Sequence, residues 1–229
     1  TGRIKNANSL CLNGQPLKED LQARLGREIR MANDANCLAV SEASDGAAAG
    51  HAVVFAVILG TGCGGGIAVN GLPWAGPNAI GGEWGHNPLP WPRPEWDETP
   101  GPRHWDGQYG SIEAYCSGRG LARDHHKVTG DPLTGEQIVA RAAAGDGPCN
   151  ATLGRFEDRL ARGLASVINL LDPEVIVVGG GLSRIERLYR HVPALWDQWV
   201  FSDEVRTRLL PAMHGDSSGV RGAAWLWPA

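Results

Sequence analysis

Val57-Ile-Leu-Gly-Thr-Gly-Cys-Gly-Gly-Gly-Ile67 is an apolar run that breaks into glycines and then becomes apolar again. It reads as a buried strand, a glycine turn and a returning strand. Five of the seven positions from Gly60 to Gly66 are glycine, more than a hairpin turn requires. A turn without side chains can aim several backbone N–H groups at one point, which suits a phosphate; the alternative is a ligand-free glycine hairpin. Thr61 adds a hydroxyl. Downstream, Gly81-Gly-Glu-Trp-Gly-His86 sets a carboxylate and an imidazole three residues apart among glycines. Backbone there can approach a ligand closely, so Glu83 and His86 suit a polyhydroxyl compound, with a structural histidine as the alternative. Phosphate and polyol together point to phosphoryl transfer to a sugar.

Working outward, Leu17, Leu21 and Leu25 have the spacing of a short amphipathic helix stopped by Gly26. Residues 28–32 read as a short strand and 36–49 as an Ala-rich helix. Strands are expected at 53–59 and 66–70, flanking the glycine turn. Residues 71–110 are rich in Gly, Pro and Trp and read as one long loop, beyond the ~12–15 residues of passive connections, hence functional. Helices follow at 111–124, 134–144 and 151–171, the last ended by Pro173. Glu174-Val-Ile-Val-Val178 is apolar enough for a strand covered on both faces. Gly179-Gly-Gly181 follows it, and a helix is expected to begin near Ser183. Strands alternating with helices predict an α/β fold.

Composition sets the bounds. The 229 residues suffice for one large domain or two small lobes, and 42% hydrophobic with 20% charged residues is ordinary for a globular protein. A net charge of −4 leaves no basic footprint for nucleic acid. No apolar run reaches the ~20 residues of a membrane span. Five cysteines without a CxxC pair argue against a disulfide framework and for a reducing, cytoplasmic setting. No signal peptide is visible, and the abrupt start at Thr1 reads as the interior of a longer protein.

Asn33-Asp34-Ala-Asn36 lies between a strand-like segment and a helix. Asp34 suits a general base toward a sugar hydroxyl, or it caps the helix; spacing alone leaves both open. Gly179, Gly180 and Gly181 after an apolar strand suit a nucleotide site, or a plain strand–helix junction. The third glycine of GxGxxG is absent, as is GxxxxGK[ST], so neither a Rossmann nor a Walker site is expected. Asp216-Ser-Ser-Gly219 lacks the GxSxG elbow of a serine hydrolase.

Taken in order, Asn6-Ala-Asn-Ser9, Leu12-Asn-Gly-Gln-Pro-Leu17, Ala32-Asn-Asp-Ala-Asn-Cys-Leu-Ala-Val-Ser-Glu42, Gly82-Glu-Trp-Gly-His-Asn-Pro-Leu-Pro90 and His214-Gly-Asp-Ser-Ser-Gly-Val-Arg-Gly222 resemble the ROK family of sugar kinases and sugar-responsive repressors. The resemblance covers nearly the whole chain and is nearest to bacterial fructokinases of the manno(fructo)kinase type. It implies an actin-like ATPase (ribonuclease H-like) fold of two lobes around a cleft. It further implies ATP and Mg²⁺, a hexose acceptor, fructose above N-acetylglucosamine, glucose or allose, and a homodimer. By resemblance Asp34 is the general base and Asn33 helps bind the sugar, whose hydroxyls Glu83, His86 and Glu113 hold. Gly60, Thr61, Gly62 and Gly64 would cradle the ATP phosphates, with Gly179, Gly180 and Gly181 near the adenosine. A sugar-sensing repressor, which carries a helix-turn-helix ahead of this region, is the rival reading.

Two departures stand out. Family members carry an Asp-x-Gly-x-Thr phosphate turn near the N-terminus, and this chain has none. On that reading residues 1–34 are the remnant of an N-terminal lobe, 35–229 form the C-terminal sugar-kinase lobe, and the chain alone is an incomplete kinase. The family also binds zinc through a His and three Cys in a Cys-x-Cys-Gly-x-x-Gly-Cys-x-Glu pattern. The matching stretch is His104-Trp-Asp106-Gly-Gln-Tyr-Gly-Ser111-Ile-Glu113, with every cysteine replaced. His86, His104 and Asp106 could still form a His₂–carboxylate site, but without a thiolate no zinc is expected and a polar network holds the loop instead.

Overall fold

Strand β1 (Val53–Leu59) is the middle of a five-stranded sheet of order β3-β2-β1-β4-β5. The structure is a computed structural model that describes residues 2–5 and 9–227. The Asn6-Ala-Asn8 part of the resemblance lies outside the described residues. β2 (Cys63–Val69) pairs antiparallel with β1, and the two-residue β3 (Leu72–Pro73) antiparallel with β2. β4 (Val175–Gly179) and β5 (Arg208–Pro211) complete the sheet in parallel with β1.

Period-two alternation sorts β1 and β4 into two cores. Phe55, Val57, Leu59, Ile176 and Val178 pack with Leu160 and Leu164 on one side. Val54, Ala56, Val175 and Val177 pack with Leu38, Ala39 and Val40 on the other. The first side is covered by α6 (Gly147–Leu171), with α4 (Gly118–Thr129) and α5 (Gly135–Ala143) beyond it. The second is covered by α2 (Asp34–Asp45), on which α8 (Ser218–Ala224) lies so closely that a Cβ at Gly222 would sit 1.7 Å from the Cys37 carbonyl oxygen. By contrast α1 (Leu17–Leu25) has no buried residue.

The structure corrects several sequence expectations. Residues 28–32 belong to no strand; Ile29 N–H donates to Gln22 Oε1 instead, at 3.2 Å. The strand after the turn starts at Cys63, not Gly66, so Gly64, Gly65 and Gly66 are strand residues. The helix expected at 111–124 is two: α3 (Ile112–Tyr115) and α4, broken where Ser117 Oγ caps Gly120 N–H at 3.1 Å. α6 starts four residues early because Asp146 caps Cys149 N–H at 2.9 Å. After β4 comes a 3₁₀ turn (Gly181–Arg184) and only then the four-residue α7 (Leu188–His191). No helix among the described residues is long and apolar enough to cross a membrane.

Candidate active site

The β1–β2 hairpin closes with a three-residue loop, since Leu59 pairs with Cys63. Gly60 N–H donates to Gly62 O at 3.0 Å, and Gly60 O accepts from Gly118 N–H at 2.8 Å, which ties the loop to the start of α4. Thr61 is exposed at the tip. Among the described residues, neither Thr61 N–H nor Gly62 N–H donates to protein. A Cβ at Gly60 would meet open space.

The other glycines of this stretch have a different cause. A Cβ at Gly65 would lie 2.5 Å from Gly82 O and from Trp84 Cδ1, and one at Gly66 2.3 Å from the Ala35 carbonyl. These two glycines let neighbouring backbone touch β2 directly. Gly85, whose Cβ would lie 2.3 Å from Cys63 O, does the same from the opposite partner. The excess of glycine is thus mostly packing. Its effect is to bring the start of α2, the Gly82–His86 segment and α3 against the hairpin end of β2, and those elements carry the candidate polar residues.

Asn33 is the N-cap of α2: its Oδ1 accepts from Ala35 N–H at 2.8 Å and Asn36 N–H at 3.4 Å. Asp34, one residue on, is exposed and its Oδ1 accepts from Ala35 N–H at 2.9 Å. Capping therefore falls mainly to Asn33, which leaves the second oxygen of Asp34 for other work. Glu83 and His86 flank the 3₁₀ turn Trp84–His86, with Oε2 and Nε2 3.9 Å apart and both side chains about two-fifths exposed.

Glu113, in the first turn of α3, reaches the hairpin. Its Oε2 accepts from Cys63 N–H at 2.8 Å, and its Oε1 from His104 Nε2 at 2.7 Å and Trp105 Nε1 at 3.2 Å. Burial raises its pKa, but the Cys63 N–H and the His104 bond outweigh that, and the carboxyl sits below its usual range. Cys63 is buried and its thiol is pushed well up by burial and by Cys116 and Glu113, so it is no nucleophile. Ser218 is buried too and donates to Glu42 Oε1 at 2.8 Å, which leaves no serine-hydrolase arrangement there.

The second glycine cluster lies beside the first. Ile58 pairs with Gly179 across the parallel strands, and a Cβ at Gly180, at φ 82°, would lie 2.5 Å from Leu59 O. Gly181 faces open space. Both glycine turns thus occupy the C-terminal edge of β1 and β4, the usual ligand edge of parallel strands. The element after Gly181 is too short to supply a helix dipole, so that part of the sequence argument lapses.

His86, His104 and Asp106 bring one donor atom each within 4.8 Å of one another. Ser111, the remaining position of the pattern, is buried and its Oγ caps Ala114 N–H at 3.3 Å.

Sequence reasoning missed a buried ionic knot that anchors the long loop. Glu98 receives Arg159 Nε at 2.7 Å, Arg162 through two nitrogens at 2.9 Å each, and Arg93 N–H at 2.7 Å. Asp158 holds the other edge of Arg162 at 2.8 Å and the Arg93 side chain at 2.8 and 3.1 Å. The available signal was Asp158 and Arg162 at i, i+4 with Arg159 between them, inside a helix otherwise buried.

Comparison with known proteins gives a consistent set. The ROK family model matches residues 1–229. An N-acetyl-D-glucosamine kinase of Pectobacterium atrosepticum is 38% identical over 227 residues, covering 98% of this chain and 75% of that protein. An Escherichia coli N-acetyl-D-glucosamine kinase is 40% identical over 236 residues with the same coverage. A ROK hexokinase from Thermus thermophilus has TM-score 0.82 and 29% identity, covering 94% of this chain and 70% of that one. A ROK glucokinase from Streptomyces griseus, solved with glucose and AMPPNP, has TM-score 0.78 and 29% identity, covering 93% and 72%. The actin-like ATPase fold implied by the sequence is that of these structures. The nearness to fructokinases is not reproduced among these relatives.

Proposed function

Because the chain belongs to the ROK family, we propose that it is an ATP-dependent sugar kinase acting on a hexose, with N-acetyl-D-glucosamine the favoured acceptor. The observation that carries this reading is the convergence of Asp34, Glu83, His86 and Glu113 on elements packed against one hairpin end, beside two adjoining glycine turns. The acceptor is favoured by the two N-acetyl-D-glucosamine kinases just described, at 38% and 40% identity.

Phosphoryl transfer asks a protein for positioning and charge stabilisation more than for covalent chemistry. In this reading Asp34 accepts the proton of the sugar hydroxyl as that oxygen bonds to the γ-phosphorus of ATP, and ADP departs. Asn33 and Glu83 hold neighbouring hydroxyls. His86 presents a ring nitrogen, and Glu113 accepts one hydroxyl at the acceptor site its protein partners leave open. Backbone N–H groups at Thr61 and Gly62 meet the phosphates of ATP, which arrives as its magnesium complex. Gly60 and Gly64 keep that approach clear, and Gly179, Gly180 and Gly181 border the adenosine. Residues 1–34 go with the smaller lobe and 35–229 with the larger, a division supported by α1, none of whose residues is buried.

Fructose is the second reading, resting on the resemblance of the stretches 82–90 and 214–222 to fructokinases. A sugar panel with the full-length protein separates the two: N-acetylglucosamine should give the highest kcat/KM, and a preference for fructose reverses the order. Asp34→Asn should lower kcat by about 10²–10⁴-fold with the fold intact. An unchanged kcat would remove Asp34 from the mechanism.

A further inference from the structure

The residues standing where the family has zinc ligands do not make a zinc site of the usual kind. No thiolate is present, and the Ser111 hydroxyl is turned to the cap of α3. Both oxygens of Asp106 are engaged: Oδ1 accepts from Gln108 N–H at 2.9 Å and Oδ2 meets His86 Nδ1 at 3.1 Å. His104 Nδ1 is buried without an aligned hydrogen bond, and it faces Asp106 Oδ1 at 2.9 Å. His104 Nε2 reaches Glu113. A continuous polar chain therefore runs from His86 through Asp106 and His104 to Glu113, and its two ends are candidate sugar ligands.

We propose that Asp106 is a positioning residue that orients His86 without a metal, accepting its Nδ1–H so that Nε2 is the lone-pair nitrogen offered to the sugar. An imidazole that donates from one nitrogen must accept at the other, so the partner of Nδ1 decides what Nε2 can do. Nε2 stands 3.9 Å from Glu83 Oε2, beyond hydrogen-bond length, so neither group satisfies the other. A polyol can then donate one hydroxyl to Nε2 and another to Glu83. Among the described residues, the groups facing the His86 ring are Glu83, Asp106, His104 and Trp105, and Asp106 alone is in hydrogen-bond contact with it. The backbone keeps Asp106 in place: His104 N–H donates to Gln108 O at 2.7 Å and Gly107 N–H to His104 O at 3.1 Å.

The inference rests on the sugar-kinase reading, and three measurements on the purified protein separate its failure from that of the reading. Elemental analysis after purification without added metal should find far less than one zinc per chain; one zinc per chain overturns the proposal. Nitrogen-15 NMR of His86 should show the Nδ1–H tautomer, and its loss in Asp106→Ala; an Nε2–H tautomer in the unaltered protein overturns it. In kinetics, Asp106→Ala should raise the sugar KM about tenfold, the low end of what losing an orienting partner costs, with the ATP KM and the unfolding midpoint unmoved. Asp106→Asn, whose one amide oxygen can still accept Nδ1–H but then gives up the Gln108 N–H, should recover part of that loss. An unchanged sugar KM in Asp106→Ala overturns the assignment. If the full-length protein phosphorylates no hexose, the functional reading fails, while the zinc and NMR results still decide the role of Asp106.

Discussion

Glu98 and Glu113 are two glutamates of one region, both largely withdrawn from water and both bound by several donors, yet they do different things. Glu98 is 4% exposed, and its four hydrogen bonds put two donors on each oxygen: Arg159 and Arg162 on Oε1, Arg93 N–H and Arg162 on Oε2. A carboxylate has about four acceptor sites, so this one is full. Among the described residues Glu113 has three bonds, two on Oε1 and one on Oε2, which leaves one acceptor site open, on the oxygen beside the hairpin loop. Its donors are a backbone amide, an imidazole and an indole, where those of Glu98 include two guanidinium groups. A saturated carboxylate between arginines can only hold structure. An under-filled one at the end of a strand can hold structure and still take a hydroxyl.

The sharpest way to break this contrast is to empty the saturated site. Arg162 is fully buried, and Arg162→Met leaves Glu98 and Asp158 each short of a charged partner. The loss should be about 3–5 kcal/mol of unfolding free energy, read by urea denaturation, because a buried charge stripped of its partner is the costly case. A loss under about 1 kcal/mol would put the knot on a par with an exposed pair and remove the distinction. Glu113→Gln is the matching change at the open site. It should raise the sugar KM about tenfold, the size of one charged hydrogen bond, and cost less stability than Arg162→Met. If the variant unfolds as readily as Arg162→Met while its sugar KM is unmoved, Glu113 is a second anchor and no ligand.

How far each carboxylate can be read from sequence follows the same division. The Glu113 pattern is local. It closes the Cys-x-Cys-Gly-x-x-Gly-Cys-x-Glu pattern of the resemblance, and its partners His104 and Trp105 are nine and eight residues away. Glu98 has no local signal, since Arg162 is 64 residues on and nothing in a Pro- and Trp-rich loop marks one acid among several. β1 and the strand at 175–179 were legible because both are largely buried and their apolar runs are unbroken. The break between α3 and α4 was not, because Ser117 competes for backbone in a run that otherwise reads as helix. The glycines were legible as a cluster and misassigned in part. An absent side chain looks the same whether it makes room for a phosphate or for the backbone of Ala35.

The gentlest test acts on that last ambiguity and on Glu113 together. A Cβ at Gly62 would lie 2.7 Å from Glu113 Oε2, whereas one at Gly60 would meet nothing, and neither residue has a positive φ. The obstacle at Gly62 is the end of a side chain that bonds Cys63 N–H, so Gly62→Ala should lower stability by about 1 kcal/mol, the cost of one hydrogen bond. It should push Oε2 off its line to Cys63 N–H and cover the open acceptor site, raising the sugar KM by a few-fold. Gly60→Ala, which touches neither, should leave the sugar KM alone and raise only the KM for ATP. Equal effects of the two alanines on the sugar KM would mean that the hairpin loop acts as one unit, and that the open site on Glu113 has no ligand of its own.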